Sequence, residues 1–200
     1  MEHKKDELLE FWFGNDPDDA AVARAKAGLW WGHDPATDEL LQERFGAATS
    51  AAAAGVLDHW VGSPRGRLAL ILLLDQLPRA VYRGTPAAFA TDEKALAVAS
   101  KGLASGADRL LRPVERVFMY LPFEHSERIE DQERSVGLFR GLVESVPEPD
   151  REPFQMFLDY ALRHRDVVAR FGRFPHRNPI LDRPSTALEL EFLQEPGSSF

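Results

Sequence analysis

The sequence contains no cysteine. This absence excludes disulfide bonds, thiolate nucleophiles and cysteine-ligated metal or iron–sulfur sites, and it is compatible with a reducing compartment. Basic residues are also in the minority, with 24 Lys and Arg against 32 Asp and Glu, so the formal net charge is −8. A net negative field repels phosphate backbones and anionic bilayers. We therefore expect neither a nucleic-acid partner nor a membrane partner.

Long hydrophobic runs are missing as well. The longest uninterrupted aliphatic run is LALILLL at 68–74, which is far shorter than the about 20 apolar residues that span a bilayer. The N-terminal MEHKKDELLEFWF carries charge where a signal peptide needs an apolar segment, and it has the pattern of an amphipathic helix. We expect a soluble, cytoplasmic protein, either a monomer or a homodimer.

Several sequence signatures of enzymes are absent. The chain has no GxSxG nucleophile elbow, no GxxxxGK[ST] phosphate loop and no GxGxxG motif opening a helix. It also lacks HExxH and Glu-x-x-His, the spacings typical of metal sites on helices. We therefore predict no cofactor and no metal.

The apolar residues that are present recur with a helical period almost everywhere, and this pattern predicts an all-α fold. We expect one domain over 1–200, built from eight or nine helices in antiparallel hairpins, with a frayed tail at 195–200. The loop WWGHDPATD is predicted to introduce the second helix, Pro78 to interrupt the central helix and Pro122 to end another. The main predicted helices cover 4–13, 38–55, 64 to Pro78, 92–104, 113 to Pro122, 124–146, 153–171 and a last helix after the capping box Thr186-x-x-Glu189.

Polar residues interrupt the apolar pattern in three places, of which the first is Asp75-Gln76 at the end of LALILLL. A buried carboxylate needs a partner, and Arg79 lies four residues further on, one helical turn away. This pair either fixes how helices dock or places an arginine in a cavity.

The second place is LPFEHSERIEDQE at 121–133. On one continuous helix, His125 and Gln132 would share a face with apolar residues. They are either a hydrogen-bonded pair in the core or part of a site. Glu124 lies on an adjoining face with Glu127, where a solvated set of ion pairs is the alternative.

The third place is RFGRFPHRNPILDRPST at 170–186, where three prolines restrict the backbone. Such a loop holds side chains at fixed positions, and four of them are donors suited to carboxylate or phosphate. The alternative is that these donors cap helices or pair with acidic residues of the other two motifs. The four donors are Arg173, His176, Arg177 and Asn178.

His164 lies at the edge of the apolar stripe of the 153–171 helix. A core histidine is the ordinary reading of that position. We nevertheless keep His164 among the candidate ligand-binding residues.

The strings LLLDQLPRAVYRG, FMYLPFEHSERIEDQ and FGRFPHRNPILDRPST occur in this order. In this respect the chain resembles a bacterial family, domain-of-unknown-function family 924, over about 38–194. The resemblance implies an all-helical, tetratricopeptide-like array, although the chain shows no clean 34-residue repeat. The family has no assigned reaction, so the resemblance implies only that the three motifs form one constellation.

We predict that the three motifs converge on one polar pocket that binds a small anionic ligand or an acidic chain end. The alternatives are metal-free hydrolysis or transfer in the same pocket, and a protein-interaction module in which the motifs are purely structural. The catalytic candidates are His125, His176 and Glu124. The candidate ligand-binding residues are Asp75, Gln76, Arg79, Glu124, His125, Gln132, His164, Arg173, His176, Arg177 and Asn178.

Overall fold

The structure, a computed structural model, describes residues 2–199. All regular structure in this range is helical, which confirms the all-α prediction. Short 3₁₀ turns join the helices. The α-helical segments are α1 (Glu2–Phe13), α2 (Asp19–Trp31), α3 (Pro35–Ala53), α4 (Pro64–Ile71), α5 (Leu77–Val81), α6 (Asp92–Ala104), α7 (Pro113–Glu124), α8 (Ile129–Ser145), α9 (Arg151–Phe171) and α10 (Ala187–Phe192).

The run LALILLL lies at the centre of the molecule, with all seven residues buried. Helix α4 packs against α1, α6 and α7, so its apolar residues find partners on several sides. Burial of each large side chain contributes about 1.5–3 kcal/mol. An aromatic cluster links the N-terminal helices to α7, because Phe118 makes ring contacts with Trp12, Phe13 and Trp30.

The prediction that Pro78 interrupts the central helix is wrong. A π-helical turn over Leu72–Gln76 joins α4 to α5, and Pro78 lies inside the continued helix. Proline has no N–H for the carbonyl four residues earlier, which is that of Leu74. The Thr91 hydroxyl donates to this carbonyl at 2.6 Å. A residue from a distant segment therefore supplies the hydrogen bond that proline cannot make.

The predicted helix at 124–146 is also corrected, as is the predicted stop at Pro122. Helix α7 continues through Pro122 to Glu124, and His125 is its C-terminal cap residue. Residues 125–128 form a turn before α8 begins at Ile129. His125 and Gln132 therefore do not share one helix.

WWGHDPATD is largely helical rather than a loop. Trp31 ends α2, a helix that the sequence analysis did not assign, and α3 begins at Pro35 instead of 38. The Asp34 side chain accepts from the N–H groups of Ala36 and Thr37, which caps α3 at its N-terminus. Only 32–34 remain as a connection.

Helix ends with strong local signals follow the prediction. Helix α1 stops before Gly14, whose φ is +69°, and α9 stops before Gly172 in the same left-handed conformation. The capping box of Thr186 and Glu189 opens α10. In the predicted tail, Ser198 is buried and the carbonyl of Gly197 accepts from Arg163, whereas residue 200 lies outside the described range.

Bilayer crossing requires a long, strongly apolar segment. No helix within residues 2–199 combines that length and apolar content.

Candidate functional site

Asp75 is completely buried. It is the centre of a polar cluster that it forms with Gln76, Arg79 and His125. The π-turn carries it to the end of the central helix, where His125 Nδ1 lies 2.8 Å from Oδ1 and Gln76 Nε2 donates to Oδ2 at 2.6 Å. Burial acts to raise the pKa of Asp75, but the charges and hydrogen bonds of His125, Arg79 and Gln76 outweigh it and lower that pKa. Asp75 is therefore an ionised acceptor, and His125 carries its proton on Nδ1.

His125 is held neutral. Burial is the main cause that lowers the pKa of His125, and the positive charge of Arg79 adds to it against the opposing effect of Asp75. With the proton on Nδ1 fixed by Asp75, the Nε2 atom of a neutral imidazole is an acceptor. His125 is therefore a neutral imidazole whose Nε2 can accept a hydrogen bond.

Arg79 joins the central helix to α6. Its guanidinium forms two hydrogen bonds of 3.0 Å with Asp92, lies 3.5 Å from Asp75 Oδ1, and also donates to the Asp75 backbone carbonyl. Burial acts to lower the pKa of Arg79, but Asp75 and Asp92 outweigh it and raise that pKa. The predicted Asp75–Arg79 ion pair is present, yet the carboxylate closer to Arg79 is that of Asp92.

Arg177 is a buried cation whose positive charge is only weakly balanced by a neighbouring carboxylate. Its side chain lies against the rings of Phe89 and Phe174, 4.8 and 4.5 Å from their centroids. Among the described residues, its one ion pair is with Asp92 at 3.4 Å, and its Nε is buried without a hydrogen-bond partner. Burial, followed by the charge of Arg79, lowers the pKa of Arg177 to about 10, so it stays protonated near neutral pH.

Glu124 is a buried carboxyl group at the end of α7. Burial, with a contribution from the charge of Asp75, raises the pKa of Glu124 to about 8. One oxygen lies 3.2 Å from Nδ1 of His164, whose N–H donates to the Tyr160 carbonyl at 2.9 Å. The other oxygen, Oε2, has no hydrogen-bond partner among residues 2–199. At neutral pH Glu124 is therefore protonated, and its Oε2 atom is available for a hydrogen bond.

These groups border a cavity of about 600 Å³. Six of the predicted residues line it: Gln76, Arg79, Glu124, His125, His176 and Arg177. Burial, followed by the charge of Arg177, lowers the pKa of His176 to about 4. Asp75 and His164 lie behind this wall. A second cavity of about 660 Å³ shares Phe89, His125 and Arg177 with the first.

Besides Asp75 and His164, three predicted residues lie outside both cavity walls. Gln132 donates to the carbonyls of Glu124 and Ser126, both at 2.6 Å, and so caps the end of α7. Arg173 pairs with Glu189 on α10. Asn178 is completely buried and bonds to other residues of its own loop.

Two parts of the site were missed by the sequence analysis. Asp92, the partner of Arg79 and Arg177, was read only as the start of α6. No site residue was predicted in WWGHDPATD, yet Trp31 and His33 line the cavity. The signal in the sequence was the adjacent pair Trp30 and Trp31, which follows the Ala-rich stretch at 19–28.

Within 2–199 no group of three or more His, Asp or Glu side chains is arranged to hold a metal ion. The polar cluster combines carboxyl, imidazole and guanidinium groups that bind one another.

The fold and the cluster define a class of all-helical protein in which three separate sequence motifs meet at a cavity. The chain belongs to the family described as bacterial protein of unknown function (DUF924), whose model matches residues 8–197. This match extends beyond 38–194 and includes the helices that contribute Trp31.

The fold is also similar to a solved structure of a protein of unknown function from Agrobacterium tumefaciens. The two chains are 39% identical with a TM-score of 0.74, and the similarity covers 88% of this chain and 99% of that chain. No curated protein matches the chain.

Proposed function

We propose that the protein binds a small molecule through a carboxylate at the inner end of the 600 Å³ cavity. The observation that carries this proposal is a pair of buried, unused donors on two residues that line the cavity, Nε of Arg177 and the protonated Oε2 of Glu124. A buried donor without a partner costs about 1–3 kcal/mol. A carboxylate has two acceptor oxygens and satisfies both donors.

The charge of the cluster argues against a ligand that carries more than one negative charge. The ionised residues Asp75, Asp92, Arg79 and Arg177 sum to zero, while Glu124 and the neighbouring histidines are neutral near pH 7. The desolvation cost of an ion rises steeply with its charge, so a dianion such as phosphate is disfavoured in this buried setting.

Calorimetric titration with a panel of monocarboxylates at pH 7 tests the proposal. Arg177→Lys keeps the positive charge but removes the guanidinium Nε, so we expect it to weaken binding about tenfold or more. Arg173→Lys is the matched control, because Arg173 lies outside the cavity, and should bind like the parent protein. The proposal fails if no monocarboxylate binds or if both variants retain the parental affinity.

A second candidate function is acid–base catalysis, favoured by the 2.8 Å contact between His125 Nδ1 and Asp75. In hydrolysis, His125 Nε2 would take a proton from water as the water oxygen attacks the substrate carbonyl carbon. Protonated Glu124 would give its proton to the leaving group as the bond to that group breaks. His125→Asn should then abolish turnover of esters or amides derived from a bound carboxylate, while leaving binding largely intact.

We further infer a cytoplasmic location, one domain and a tetratricopeptide-like arrangement of the helices, all of which stay predictions. The protein-interaction alternative requires a polar network that is fully paired internally. The unused atoms of Arg177 and Glu124 weigh against that alternative.

A further inference from the structure

We infer that the carboxylate bound by Arg177 and Glu124 is attached to an apolar body, which lies at the mouth of the same cavity. This inference rests on the proposed function and names the class of its ligand. The two ends of the cavity wall differ in chemistry and exposure.

The inner end is polar and buried. Glu124 is 4% exposed and Arg177 is 6% exposed, so a ligand oxygen that reaches them is removed from water. Charge-assisted hydrogen bonds in such a place are strong and specify orientation. The headgroup of the ligand is therefore fixed at this end.

The outer part of the wall carries large apolar side chains that remain in contact with water. Trp31 is 43% exposed, Met156 53% and Tyr160 46%. Trp31 is held in place, because it stacks parallel on Phe118 at 5.8 Å and contacts Phe157 at 5.9 Å. Adjacent exposed apolar groups on the wall of one cavity are typical of a ligand-binding surface.

The mouth adds no uncompensated charge to this surface. Arg83 and Asp38 also line the cavity, but they form two hydrogen bonds of 2.6 and 2.9 Å with each other. Their charges are thus paired. An apolar body therefore matches the mouth better than a second charged group.

The size of the cavity supports the same ligand class. Pockets for small organic molecules usually enclose about 300–1,000 Å³, and 600 Å³ far exceeds the needs of a carboxylate group alone. The space beyond the headgroup adjoins the apolar side chains of Leu29, Leu121, Phe157 and Ile180. An acyl chain or an aryl group fills that space.

A chain-length series tests the inference on the purified full-length chain. We would titrate acetate, butanoate, hexanoate and octanoate by calorimetry, with octylamine as a tail that lacks the carboxylate. Each fully buried methylene tightens binding about fourfold, so affinity should rise along the series, and octylamine should not bind. A peptide that ends in Phe, with a free or an amidated C-terminus, distinguishes a free acid from a chain end as the source of the carboxylate.

Two matched variants locate the apolar body. Met156→Ser changes an exposed residue at the mouth, and we expect it to weaken octanoate binding several-fold while acetate binding stays the same. Leu188→Ser is the control, since Leu188 is 62% exposed on α10 and lies outside both cavity walls. It should leave the whole series unchanged.

The outcomes separate this inference from the proposed function. Equal affinity for acetate and octanoate, together with weaker binding by Arg177→Lys, would overturn the apolar body and keep the carboxylate site. Octylamine binding as tightly as octanoate, with no effect of Arg177→Lys, would overturn the carboxylate site itself. Chain-length dependence that Met156→Ser leaves intact would place the tail elsewhere and overturn the assignment to this mouth.

Discussion

The charge at the inner end of the cavity depends on one proton, that of Glu124. Burial raises the pKa of Glu124 to about 8, whereas its pKa in an unfolded chain is near 4.5. The folded state therefore binds this proton more tightly than the unfolded state. Stability linked to Glu124 is fully present below about pH 4.5 and is lost as the pH rises through 8.

Replacement of Glu124 by Gln tests this linkage. The variant has no titrating carboxyl group, so its free energy of unfolding should exceed that of the parent by on the order of 3 kcal/mol at pH 7, with the difference shrinking toward pH 4.5. Urea denaturation at several pH values between 4.5 and 9 measures it. A difference that does not change with pH would contradict the assigned protonation state.

If Glu124 binds the carboxylate as proposed, the same proton also controls ligand affinity. Above about pH 8 the ionised Glu124 loses its donor and repels a carboxylate, so binding should weaken by up to about tenfold per pH unit. Calorimetric titration of the best carboxylate at pH 7, 8 and 9 measures this. Because the amide side chain introduced by Glu124→Gln keeps a donor at every pH, that variant should bind with the same affinity across the series.

Residue types and short spacings predicted much of the cluster, but not its pairing. Asp75 and Arg79 lie one helical turn apart, and their contact follows from the sequence. Asp92 is a better partner for Arg79, yet its role depends on how α6 docks against the central helix. Tertiary packing decides such a pairing, and periodicity along one chain segment does not encode it.

At the scale of the helices, a hydrogen bond from the Thr91 hydroxyl to the Leu74 carbonyl links the π-turn and Pro78 to a distant segment. If Thr91 compensates Pro78, Thr91→Val should remove this hydrogen bond from the Leu74 carbonyl and cost about 1–3 kcal/mol. Pro78→Ala restores a backbone N–H four residues after Leu74, so the cost should shrink in the double variant. Denaturation of the four proteins gives the coupling energy, and strictly additive effects would argue against this compensation.

The end of α7 depends on a side chain from α8. Gln132→Leu removes both hydrogen bonds to the carbonyls of Glu124 and Ser126, and we expect it to lower the free energy of unfolding by about 1–3 kcal/mol. Gln155→Leu on the exposed face of α9 is the control and should change it by about 0.5 kcal/mol or less. Urea denaturation compares the two. Equal effects would mean that the cap does not stabilise the fold.

Helix boundaries were predictable where the signal is local. Gly172 and the Thr186 capping box act within a few residues, and the structure follows them. The predicted breaks at Pro78 and Pro122 were wrong because the surrounding helices overrode the local cost of proline. At Pro78 the compensating group lies 17 residues from the carbonyl that it serves, beyond the reach of local rules.

Across the whole molecule, the main hydrophobic core draws on residues from α1 to α9. A smaller cluster of Val167, Val168, Phe174 and Phe192 joins α10 and the 172–186 loop to the end of α9. All four tryptophans lie between 12 and 60, whereas the helical signal comes from the whole chain. If the chain is one domain, tryptophan fluorescence and far-ultraviolet circular dichroism should give the same urea midpoint. Separate midpoints would contradict a single cooperative unit.

The exposed Met156 at the mouth also has a practical consequence for chemical labelling. Because the chain has no cysteine, Met156→Cys would introduce its sole thiol at the rim of the cavity. An environment-sensitive fluorophore coupled there would report ligand entry without modification anywhere else. The protein is in this sense already suited to become an optical sensor for whichever compound fills it.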